Sequence, residues 1–214
     1  MLNCDRSEGS DVIGGRTQML TKPLGRYTSL SKLIIPAIDG EQTNLIVTGH
    51  RPSKLAPKPI CYSDRILKQL VRLCLAYFEV IEPKRVTSGM ALGVDTAAAI
   101  AALKLGIELI CAIPCEGQES RWPERSQERY HQILRAAERK GGSVHLVTAG
   151  KYSVAKMLKR DRWMVKRGNL VFTIYNGSNG GTGHTVAYAK KLNRPIINAW
   201  DDWKNRWNNF HPEL

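Results

Sequence analysis

With 214 residues, 43% of them hydrophobic, the chain is long enough for one large domain or for one domain with an extension. Its formal net charge of +13 favours anionic partners such as nucleotides or nucleic acid, and no apolar run reaches the roughly 18–20 residues of a membrane-spanning helix. Five cysteines without a CxxC pair, and without histidines at ligand spacing, argue for reduced thiols and against a metal site or metal cofactor.

Met1 to Arg6 shows no charged-then-apolar signal pattern, so a cytoplasmic setting is expected. Residues 1–43 read as an N-terminal extension. They are rich in Ser, Thr, Gly and charged residues, with Leu33-Ile34-Ile35 as the one strand-like piece. From Asn44 onward apolar strands alternate with amphipathic helices. Strands are predicted over 45–48, 85–88, 108–113, 143–147, 170–175 and 195–199. Helices are predicted over 64–80, 93–105, 125–139, 153–167 and 183–192, and residues 200–214 are expected to pack back as a lid or helix. Strict βα alternation with near-continuous apolar strands means an α/β fold, a Rossmann-like parallel sheet with helices on both faces, here over 44–214. Ligands in such sheets sit at the carboxyl ends of the strands.

Four unusual loops leave predicted strand ends. They are Thr48-Gly49-His50-Arg51-Pro52, the turn from Ser88 and Gly89 to Gly93 and Asp95, the stretch from Pro114 through Gln118, Glu119 and Trp122, and Asn176 to Thr185. Glycine has no Cβ and tolerates positive φ, so the backbone can bend sharply and a phosphate can approach. A helix start then offers unpaired N–H groups and the positive end of its dipole. Both Gly89–Gly93 and the Gly180-Gly181-Thr182-Gly183 run fit that logic. Arg51 has the fork geometry for a bidentate phosphate contact. His50 reads as a positioned polar neighbour more readily than as a catalyst. Asp95, in a helix first turn, either caps that helix or takes a ribose hydroxyl. Trp122 either packs or stacks on a base. Glu119 is the acid best placed for general-base work. Asp161 shares the apolar face of its helix with Met157 and Met164, and needs a partner because a buried unpaired carboxylate is costly. The same helix carries a stripe of Lys151, Lys156, Lys159, Arg160, Arg162, Lys166 and Arg167, to be read as a solvated face or as a docking face for a polyanion or acidic subunit.

Together these loops, with Arg160-Asp161-Arg162-Trp163-Met164-Val165 as a further block, resemble the YpsA-type branch of the SLOG superfamily, which includes the DNA-processing protein DprA (Smf) and the Lonely Guy phosphoribohydrolases. The resemblance covers roughly residues 44–199 and implies a Rossmann-like fold for nucleotides or nucleotide-derived ligands. The phosphoribohydrolases carry a Gly-Gly-x-Gly-Thr-x-x-Glu run; here Ala187 stands at the Glu position and cannot act as acid or base. The resemblance therefore implies a sensor or sequestering protein that binds a nucleotide-type small molecule. A nucleotide hydrolase using Glu119, and a DprA-like binder of single-stranded nucleic acid, are the alternatives. A homo-oligomer is the expected assembly, with no membrane partner.

Overall fold

A computed structural model describes residues 42–58 and 60–210 as βα alternation. The expected strand at Leu33-Ile34-Ile35 lies outside the described residues. Strands β1 (Asn44–Gly49), β2 (Arg85–Ser88), β3 (Glu108–Ile113), β4 (Ser143–Leu146), β5 (Leu170–Ile174) and β6 (Ile196–Asn198) form one all-parallel sheet in the order β4-β3-β2-β1-β5-β6. Between and after them run α1 (Asp64–Ile81), α2 (Val94–Leu105), α3 (Glu124–Arg139), α4 (Val154–Arg167), α5 (Gly181–Lys191) and α6 (Trp200–Phe210).

Side chains alternate across a strand, so each central strand feeds two cores. From β1, Leu45 and Val47 enter the core under α1, α2 and α3, while Ile46 enters the one under α4 and α5. From β5, Phe172 joins the first and Val171 the second. The alanine run of α2 has a packing reason: Ala97, Ala98, Ala101 and Ala102 are wholly buried, and their short side chains let this helix lie close both to α1 and to the sheet. Ser63 caps α1 by accepting from the Ile66 N–H, and Ser153 caps α4 by accepting from the Lys156 N–H. The C-terminal tryptophan segment is a helix: α6 packs back beside α1, with Trp203 buried and its Nε1 donating to the Leu55 carbonyl at 3.1 Å. No described helix is long and apolar enough to cross a membrane.

One boundary differs in a way that matters. The helix expected to start at Gly183 starts at Gly181, because the His184 N–H donates back to the Gly180 carbonyl at 3.0 Å and makes Gly180 the cap. Strand order runs from β1 to β4 in one direction and continues with β5 and β6 in the other. The loops leaving β1 and β5 therefore part at the carboxyl edge, which opens a crevice there.

Candidate functional site

A cleft of about 1320 Å³ occupies this crevice. Of the residues expected there, Gly49, His50, Arg51, Asp95, Gln118, Trp122, Asp161, Gly180, Gly181, Thr182 and His184 line it. Ser88, Gly89, Gly93, Glu119 and Gly183 do not.

The two glycine turns prove unlike. At the β2–α2 turn the chain fills its own space. A Cβ on Gly89 would fall on the Arg160 guanidinium, and one on Gly93 (φ +97°) would lie 2.5 Å from the His50 carbonyl oxygen. Ser88 is fully buried; its hydroxyl donates to the Asp95 carbonyl at 2.9 Å and accepts from the Met90 N–H. The first N–H groups of α2 are also engaged, Val94 with His50 O and Thr96 with Ala91 O. The β5–α5 turn is open. A Cβ on Gly181 would meet nothing within 4 Å. Gly180 holds φ +143°, a conformation that favours glycine, and leads into a helix whose first N–H groups lack intrahelical acceptors. The Thr182 hydroxyl donates to the Gly49 carbonyl at 2.9 Å, tying this helix start to β1. Lys54, on the short turn after Pro52, donates to Ser178 Oγ at 2.8 Å and to the Asn179 carbonyl at 2.9 Å, which links the two diverging loops. Arg51 stands exposed beside it.

The floor of the cleft is acidic around a buried arginine. Arg160, 3% exposed, leaves the basic stripe and points inward, a correction to its reading as part of that stripe. Its Nη1 donates to the Gly89 and Ala112 carbonyls, tying the ends of β2 and β3 together. Its Nε donates to Asp161 Oδ1 at 2.7 Å, which supplies the partner Asp161 required. Asp95 is 6% exposed, accepts a long bond from the Ala91 N–H at 3.4 Å and makes no ion pair among the described residues. Burial pushes its carboxyl up to about 6; Arg160 and Arg51 pull in the opposite direction, and Asp161 adds to the rise.

His50 is buried between Tyr175 and the edge of Trp200, with Nε2 2.6 Å from Asn176 Oδ1. Burial lowers its pKa, and Lys54 adds to that. The Glu119 carboxylate lies 3.4 Å from His131 Nε2 on α3, away from the cleft. Gln118 donates to the Met90 carbonyl at 3.2 Å, and Trp122 meets Tyr130 edge-on.

The lining residues not singled out from the sequence as ligand contacts include Lys54, Arg121, Lys151 and Tyr152. Tyr152, 59% exposed, stands on the β4–α4 loop. That loop also leaves a strand's carboxyl end, so the rule that flagged the other loops would have flagged it too. Among the described residues no group of three or more His, Cys, Asp or Glu is placed to hold a metal. Charge divides sharply along the chain. Residues 147–200 hold ten Lys and Arg against one acid, Asp161, whereas residues 63–146 hold twelve against ten.

A doubly wound, all-parallel sheet with its cleft at the switch of strand order is the architecture of the SLOG superfamily, and this chain is one of its members. Within it, the family model for DNA recombination-mediator protein A matches residues 63–209, and the chain belongs to that family. Over 119 residues it is 32% identical to the uncharacterized SPbeta prophage-derived protein YoqJ of Bacillus subtilis (strain 168), covering 50% of this chain and 70% of that protein. DNA processing protein A from Streptococcus pneumoniae matches its fold with a TM-score of 0.50 at 21% identity, over 73% of this chain and 50% of that one. The Helicobacter pylori protein of the same name gives 0.51 at 18%, over 73% and 64%. The chain thus spans half of one solved relative and 64% of the other, and at these identities the likeness is one of fold.

Proposed function

We propose that the cleft binds a nucleotide or nucleotide-derived molecule, its phosphate seated on the start of α5, and that the protein acts as a sensor or sequestering protein. The observation that carries this reading is the open helix start at Gly180 and Gly181, with Arg51 and Lys54 beside it and nothing of the chain's own within 4 Å of a Cβ on Gly181. Helix N–H groups and a dipole favour an anion there. Tyr152 and Trp122, on other parts of the lining, offer ring faces to a base. Binding without turnover fits the carboxylates: Ala187 stands where the hydrolases keep their Glu, and Glu119 faces His131. Loss of one general acid or base lowers a rate by about 10²–10⁴-fold. The test is calorimetry of the full chain with a panel of nucleoside monophosphates, backed by native mass spectrometry for co-purified nucleotide and subunit count. Micromolar binding without release of free base is expected. Base release at about 1 s⁻¹, lost in Glu119→Gln, would establish the hydrolase instead.

A second reading, single-stranded DNA in the same cleft, has its own support. The chain belongs to the family of DNA recombination-mediator protein A, the Helicobacter pylori relative binds single-stranded DNA, and this chain carries a charge of +13. Affinity for an oligonucleotide that falls steeply with salt, without saturable mononucleotide binding, would favour it.

A further inference from the structure

We propose that Asp95 and Asp161 form a hydroxyl-reading subsite on the cleft floor, which makes the site selective for ribonucleotides over 2′-deoxyribonucleotides. This rests on the nucleotide reading above and deepens it by naming the sugar.

A carboxylate that is 6% exposed, lines a cleft and has no ion pair among the described residues is an expensive group to keep. Oδ2 of Asp95 takes only the long bond from Ala91, and Oδ1 has no protein donor among the described residues. Oδ2 of Asp161 is likewise without one, since Arg160 engages Oδ1. The floor thus presents two acceptor oxygens and needs donors. The chemistry of the donor is restricted. A phosphate is repelled. A cation is disfavoured because Arg160 already pairs with Asp161 and its charge and that of Arg51 act on Asp95, and the described residues contain no metal-holding group of three or more ligand side chains. Neutral hydroxyls remain, and a vicinal diol offers two at once.

The placement suits one nucleotide. A Cβ on Gly49 would lie 2.5 Å from Val94, the first residue of α2 and the neighbour of Asp95. The Gly49 carbonyl takes the Thr182 hydroxyl from the start of α5. Floor and phosphate seat therefore flank a single backbone residue. Their parent strands, β2 and β5, are both paired with β1, two strand spacings or about 10 Å apart. That span takes a phosphate and a pentose with a hydrogen bond at each end.

The experiment is calorimetry of the full chain with AMP, GMP, CMP and UMP and with their 2′-deoxy counterparts, on wild type, Asp95→Asn and Asp161→Asn. At least one ribonucleotide is expected to bind about ten- to a hundredfold tighter than its deoxy form, the effect of losing a charge-assisted hydrogen bond. The variant at the carboxylate that takes the 2′-hydroxyl is expected to shrink that ratio to about threefold while leaving the deoxy form's affinity nearly unchanged, and the other variant to weaken both sugars alike through the 3′-hydroxyl. Equal binding of both sugars by wild type overturns the subsite and leaves the nucleotide reading standing. A ratio that survives intact in both variants also overturns it. No binding of either sugar at millimolar concentration overturns both readings. Should Asp95→Asn fail to fold by circular dichroism, the wild-type ratio and Asp161→Asn decide.

Discussion

The β2–α2 and β5–α5 turns present the same pattern in the sequence, a strand end, glycines and a helix start, yet they do opposite things. In the first, glycine makes room for the chain's own groups: the Arg160 guanidinium, the Asp95 carboxylate and the His50 carbonyl press against Gly89 and Gly93. In the second, Gly181 borders empty space and Gly180 only shapes the turn. A missing Cβ records that something comes close; whether that something is protein or ligand depends on the tertiary structure. The first turn builds the floor of the cleft, and the second offers the seat.

Substitutions can break or sharpen this contrast. The largest effect is expected at Gly93→Ala, which combines a positive φ with a clash against a backbone carbonyl that cannot move away. A loss of about 3–5 kcal/mol and a Tm lower by about 10 °C should appear in a thermal melt, whatever ligand is present. Next is Asp95→Asn. A carboxyl raised from 3.8 to about 6 in the fold gives a stability contribution that is complete below the lower value and lost as pH rises through the upper one. The ionised form is thus a burden above pH 6. The variant should be more stable than wild type at pH 8 by roughly 3 kcal/mol, and the gap should close as pH falls towards 4 in paired denaturant titrations. The third is Gly181→Val. Stability should stay within about 0.5 kcal/mol of wild type, while nucleotide affinity measured by calorimetry drops at least about 30-fold. A fold lost at Gly181 and kept at Gly93 would reverse the assignment of the two turns. The smallest effect is expected at Lys54→Met, an exposed tether between loops, where binding should weaken about threefold with no change in melting.

Most of the fold was legible because parallel strands buried on both faces are continuous apolar runs, and β2 and β3 have the bounds their sequence predicts. The α5 start was less so: glycines carry no periodicity, and the expected first residue fell two positions late. Within the cleft, Arg160 illustrates a misread signal. It lies three residues after Met157 and four before Met164, the spacing that marked Asp161 as inward, yet its basic neighbours drew it into a solvated stripe. Tyr152 carries no motif signal on the β4–α4 loop, and Lys151, read as part of the basic stripe, lies on that loop ahead of α4. Glu119 was named for being an acid on the right loop; its turn toward His131 depends on the packing of α3, which no local pattern reports.

The lopsided charge of the chain bears on how fast a ligand arrives. Nearly all the unbalanced positive charge between residues 63 and 200 falls after residue 147, in the segment that supplies α4, α5 and two of the cleft's loops. Such an arrangement gives the molecule a field that draws anions toward that side before any contact forms. Encounter rates with a phosphorylated ligand should therefore fall steeply as salt is raised, while the lifetime of the bound state, set by the few groups at the start of α5 and on the floor, changes little.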